Sequence, residues 1–96
     1  MAAGYVIAQI TVTDPEAYKD YVAAVTPLVE KYGGEYLVRG APAQHFEGEP
    51  IGERTVVIRF PTLQAANEWY HSEEYAPVRK MRQAASSSLQ TIVEGA

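Results

Sequence analysis

The side chains best equipped for chemistry crowd into residues 68–82, EWYHSEEYAPVRKMR, where three aromatics, a histidine and three basic groups stand together in an acidic chain. On a helix beginning near Glu73, the residues Tyr75, Val78, Arg82 and Ala85 share one face, which sets a guanidinium in an apolar stripe. Burying an unpaired cation is costly, so Arg82 needs an acceptor or a route to solvent along its aliphatic stem. Its acceptor is either an internal carboxylate, Glu47 or Glu94, or a carboxylate or phenolate ligand held by the planar fork. Arg39, just before Gly40, alternates onto the side of Leu37 and Glu35. It reads as a second anion contact, as a solvated strand end, or as an ion pair across a subunit interface.

His45 and Glu47 share one face of residues 45–47 if that run is extended, and a carboxylate there would orient the imidazole for acid–base work near neutral pH. The plainer reading is a surface histidine. His71 falls at a helix end, where it complements the dipole. Trp69, Tyr70 and Tyr75 either line a pocket for an aromatic compound or simply pack against the sheet. The two histidines have no metal-ligand spacing and the chain has no cysteine, so no metal site is expected. No nucleophile elbow or nucleotide loop is present, and no cofactor is expected.

The elements that must position these groups follow from pattern. Residues 5–12, YVIAQITV, are rich in β-branched residues with apolar side chains on both faces, as in a central strand covered on each side. Asp14 and Pro15 then suit the N-cap and N1 positions of a helix. Its buried stripe is Tyr18, Tyr21, Val22, Val25, Leu28, Val29 and Tyr32, and Gly33 with Gly34 ends it. Pro27 lies opposite the stripe, where a bend is expected and not a break. Strands are expected at 35–39, 54–60 and 89–93, the run 54–60 carrying Val56, Ile58 and Phe60 on one face. Thr62 caps one helical piece and Ser72 a second. The order β-α-β-β-α-β is that of an α+β, ferredoxin-like fold: a four-stranded antiparallel sheet with its helices on one face, in a single domain over residues 1–96.

Composition bounds the partners. The chain has 96 residues, is 47% hydrophobic and 21% charged, and is expected to fold around a thin core. A net charge of -4 with eight Lys plus Arg argues against nucleic acid. The N-terminal run lacks a basic region and no apolar stretch approaches a membrane span, so the expectation is a cytoplasmic protein without a membrane partner.

In order along the chain, GYVIAQITVTDPEAYKDYVAAV, YGGEYLVRG, FEG, ERTVVIRFP, ANEWYHSEEYAPVRKMR and the closing VEG resemble the domain-of-unknown-function family numbered 1330. The resemblance implies the dimeric α/β-barrel superfamily, in which two ferredoxin-like subunits pack sheet against sheet. It implies no activity, since its wider relatives include monooxygenases, isomerases and haem-handling enzymes. The reading that follows is a homodimer binding a small anionic or aromatic metabolite between sheet and helices, as a cofactor-independent enzyme or as a binder. The candidate contacts are Arg82, Arg39, His45, Trp69 and Tyr75. Its rivals are a structural or regulatory interaction module, and a monooxygenase- or isomerase-like enzyme with His45 as general base.

Overall fold

The computed structural model describes residues 2–96. Seven elements succeed one another: β1 (Gly4–Val12), α1 (Pro15–Lys31), β2 (Glu35–Pro42), β3 (Arg54–Phe60), α2 (Leu63–Tyr70), α3 (Tyr75–Ala85) and β4 (Ser86–Glu94). The strands form one antiparallel sheet in the order β2-β3-β1-β4, so β1 is central and bonds to both β3 and β4. The sheet is the expected ferredoxin-like one, and its second crossover holds two helices, α2 and α3, where the β-α-β-β-α-β order counts one.

Local chemistry explains where the helices start. Asp14 accepts from the Ala17 amide at 3.2 Å and Pro15 opens α1, whereas Thr62 accepts from the Ala65 amide at 3.0 Å and opens α2. Ser72 Oγ accepts from the Tyr75 amide at 3.1 Å, so it serves the first turn of α3 although the regular helix begins only at Tyr75. Pro27 does not interrupt α1. The helix ends where the Gly34 amide reaches the Val29 carbonyl at 2.8 Å and Gly33 takes a positive φ of 84°.

All three helices cover one face of the sheet. Tyr18, Tyr21, Val25 and Val29 of α1 meet Val6, Ala8, Ile10, Ile58 and Phe60 of the sheet, joined by Ala66 and Trp69 of α2 and by Tyr75 and Ala85 of α3. No helix covers the other face. There Tyr5 pairs with Val93, Ile7 with Val57 and Gln9 with Leu89, leaving Ile7, Leu89 and Val93 between 40% and 46% exposed.

Two strands run further than their patterns predict. β4 begins at Ser86, not at Leu89, because Ser86, Ser87 and Ser88 find ladder partners in Val12, Thr11 and Ile10. β2 continues past Arg39 to Pro42, a proline tolerated at the end of an edge strand. β2 also slips against β3 between Tyr36 and Val38 and again between Arg39 and Ala41. The slip has a functional consequence. Tyr36 pairs with Ile58 and Arg39 with Val56, both on the helix-covered face, so simple alternation from Glu35 puts Arg39 on the wrong side.

Candidate anion-binding cavity

Between α1 and the covered sheet face lies a cavity of about 40 Å³. Val6, Ala8, Ile10, Val25 and Ile58 give it an apolar floor, and Tyr18, Tyr21, Tyr36 and Trp69 give it aromatic walls. Its charged lining consists of Arg39 and Arg54 alone, with Gln90 as the remaining polar group.

Both arginines are positioned by rings. The Arg39 guanidinium lies 4.7 Å from the Tyr36 ring centroid, and its Nη2 donates to Thr26 Oγ1 of α1 at 2.9 Å. Arg54 lies 5.1 Å from the Tyr18 ring centroid. Gly40 makes room for it: φ there is 89°, and a Cβ at that position would collide with the Arg54 guanidinium. Among the described residues, the ion pairs are Lys19–Glu16 and Lys31–Glu74, so neither Arg39 nor Arg54 has a carboxylate within 4.0 Å. Arg54 is not marked out by residue type in a strand whose inward face is defined by Val56, Ile58 and Phe60. Yet it stands two residues before Val56, in phase with that inward face, and the alternation itself is the signal.

Arg82 is buried at 3% exposure, on the face of α3 that periodicity assigns to it. Its acceptor is neither Glu47 nor Glu94. Nη1 donates to the Tyr75 hydroxyl at 3.0 Å, and that hydroxyl lies 3.0 Å from the Tyr21 hydroxyl. Two phenols from two helices occupy the space in which a carboxylate was expected, and Glu47 stands exposed in the loop after β2. Burial, reinforced for Tyr21 by Tyr75, holds the Tyr21 phenol far above its ordinary range. Burial also raises Tyr75, with Arg82 opposing. Both phenols are therefore neutral at physiological pH and act as hydrogen-bonding groups, not as bases. Arg82 and Tyr75 stand behind the cavity: Tyr75 meets Tyr21 and Trp69, which line it, and Arg82 reaches it through Tyr75.

Trp69 is placed at the cavity together with Arg39. It lines the cavity, is 2% exposed, and its Nε1 is buried without an acceptor. His45 is not there. It is exposed in the loop between β2 and β3, beside an open surface depression with Pro42, Ile51 and Glu53, and it makes no ion pair with Glu47. Edge-strand alternation ends at Pro42, so the shared face expected of His45 and Glu47 does not form. His71 closes α2, its Nδ1 lying 3.0 Å from the Asn67 carbonyl. Among the described residues no cluster of three or more His, Asp or Glu side chains could hold a metal ion.

A four-stranded antiparallel sheet carrying its helices on one face, over an arginine- and tyrosine-lined cavity, defines an α+β protein of the ferredoxin-like type. The chain belongs to the family described as Domain of unknown function (DUF1330), whose model matches residues 3–96. The fold is similar to that of RPA0582, a protein of unknown function from Rhodopseudomonas palustris, at 19% identity over 96% of this chain and 81% of that one, with a TM-score of 0.78. It is also similar to SnoaB, a cofactor-independent oxygenase from Streptomyces nogalater, at 12% identity over 97% and 92% of the two chains, with a TM-score of 0.63. Rv0793 from Mycobacterium tuberculosis shares 18% identity over 98% and 93%, with a TM-score of 0.56. No curated protein matches this chain. No helix is long and apolar enough to cross a membrane.

Proposed function

We propose that this protein binds a small, planar, anionic metabolite in the cavity between α1 and the sheet, and does so as a cytoplasmic homodimer. One observation carries the reading: Arg39 and Arg54 line the same cavity over aromatic faces, and neither has a carboxylate within 4.0 Å. Arg54 is half-buried and Arg39 exposed, neither has a carboxylate beside it, and an anionic ligand would supply the counter-charge, while the tyrosine walls suit a flat molecule. Dimerisation is supported by the uncovered sheet face with Ile7, Leu89 and Val93, an apolar surface that a second copy would bury. The absence of cysteine agrees with a reducing compartment.

A thermal-shift screen of carboxylates and phenolates tests the binding. The parent should be stabilised by at least one of them, and Arg39→Met and Arg54→Met should each abolish the shift, because a ligand bound only to the native state raises its stability. Failure of every anion to shift the parent would sink the proposal. Cofactor-independent chemistry at this cavity is an analogy with the oxygenase whose fold it shares, and rests on that analogy alone. His45 is not the base in that version, since it stands outside the cavity.

A second reading, an interaction module without catalysis, is favoured by the cavity's volume of about 40 Å³. A ligand larger than a few atoms must displace the Arg39 or Arg54 guanidinium from its ring. The same screen separates the two, because a protein whose own side chains fill the cavity responds to no member of the panel.

A further inference from the structure

Resting on the reading of the cavity as an anion site, we infer that its ligand is an acceptor-only oxyanion, an aromatic or conjugated carboxylate or phenolate without an ammonium group, and that one of its oxygens accepts the Trp69 indole N–H. Buried polar groups almost always find partners, so those that do not are informative. Among the described residues the buried side-chain atoms without a partner are Arg54 Nε, Thr55 Oγ1, Trp69 Nε1 and Arg82 Nε. Three of the four are N–H donors and none is a carboxylate oxygen. Two of those donors, on Arg54 and Trp69, belong to residues that line the cavity.

The indole cannot turn to seek another acceptor. Its ring centroid lies 4.4 Å from that of Tyr75 and 5.4 Å from that of Phe60, both tilted, and 5.9 Å from that of Tyr70, edge-on. Close packing on three aromatic neighbours holds the ring in place, so a ligand oxygen reaches the buried N–H only as the side chains around it give way.

The rest of the lining selects the ligand's chemistry by what it lacks. No Asp, Glu or His lines the cavity, and beyond the tyrosine hydroxyls the side-chain acceptor available is the Gln90 amide oxygen. A ligand bearing its own ammonium would meet two guanidinium groups and an unpartnered N–H with no carboxylate to receive it. An oxyanion instead meets donors from Arg39, Arg54 and Trp69, and its flat apolar body meets Tyr21 and, where a guanidinium leaves its ring to bind the anion, Tyr18 or Tyr36. Amines and zwitterionic amino acids are thereby excluded by the same residues that recognise the anion.

The chain contains one tryptophan, so its indole N–H gives one resolved signal in a ¹H–¹⁵N correlation spectrum. Titration of the parent with benzoate and with 4-nitrophenolate, and with benzylamine as the cationic isostere, tests the inference directly. At least one of the two anions is expected to raise the melting temperature and to move the indole signal downfield in a saturable way, and benzylamine is expected to do neither. Trp69→Phe should weaken the anion at least about tenfold, the loss of one charge-assisted hydrogen bond. If that variant does not fold, the parent spectrum still decides. An anion that stabilises the parent yet leaves the indole signal unmoved overturns this inference and leaves the anion-binding proposal standing. Benzylamine binding as tightly as the anions overturns the acceptor-only class, and no response to either anion removes both claims.

Discussion

Arg82 is a buried cation whose environment answers it with phenols. Because no carboxylate is left behind, Arg82→Met should change stability by less than about 1 kcal/mol or raise it, where breaking a buried ion pair would cost about 3 kcal/mol or more. Urea unfolding of the variant measures this. A large loss would reveal a carboxylate partner absent from the described contacts. The two phenols make a separate statement about pH. Their folded-state pKa values are raised above the ordinary value near 10, so the unfolded chain releases these protons first and folding is opposed as pH rises. Stability from this pair is fully present below about pH 10 and falls above it. Unfolding midpoints between pH 8 and 11 should show that decline, and Tyr21→Phe should lessen its slope. At Gly40 the requirement is steric: Gly40→Ala forces a side chain into a φ of 89° and against the Arg54 guanidinium. It should cost about 1 kcal/mol or more and reduce any anion-induced shift in melting temperature.

At the scale of elements, α1 is the part most plainly written in the sequence, since an N-cap, an N1 proline, a stripe and a terminal glycine pair all point to one helix. Its stripe residues Tyr21 and Val25 are 7% and 3% exposed, whereas Lys19 faces solvent. Tyr21→Ala should therefore cost roughly 2 to 5 kcal/mol and Val25→Ala roughly 1 to 3, with Lys19→Ala nearly neutral in the same urea series. Equal losses for all three would contradict the packing of α1. β2 shows where the pattern stops being informative. A bulge is a relation between two strands, so nothing in residues 35–42 by themselves announces that Arg39 crosses to the helix-covered face. The cavity was legible in part for the same reason. Arg39 and Trp69 could be named from type and position, and Arg54 was readable from alternation. That Tyr75 and Tyr21 receive Arg82 depends on how α1 and α3 meet, which no local pattern records.

For the whole molecule, the uncovered sheet face predicts a two-fold dimer. Sedimentation at micromolar concentration should give about twice 10.6 kDa, and a clean species of 10.6 kDa would refute sheet-to-sheet packing. The topology also governs how the chain comes into being. Central β1 is complete at Val12, but one of its two neighbours, β4, reaches its far end only at Glu94, paired with Gly4. At ordinary rates of protein synthesis the interval between those residues lasts about 4 to 16 s. Throughout it the apolar strand at the centre of the sheet has an open edge, available to any other nascent chain. The Ala85 carbonyl, which receives the Thr13 and Asp14 amides at 2.8 and 3.1 Å, is made only near the end of that interval. Closure of the sheet is thus held back until β4 has been made, and a ribosome stalled before Ser86 would present a half-built sheet to the chaperones of the cell.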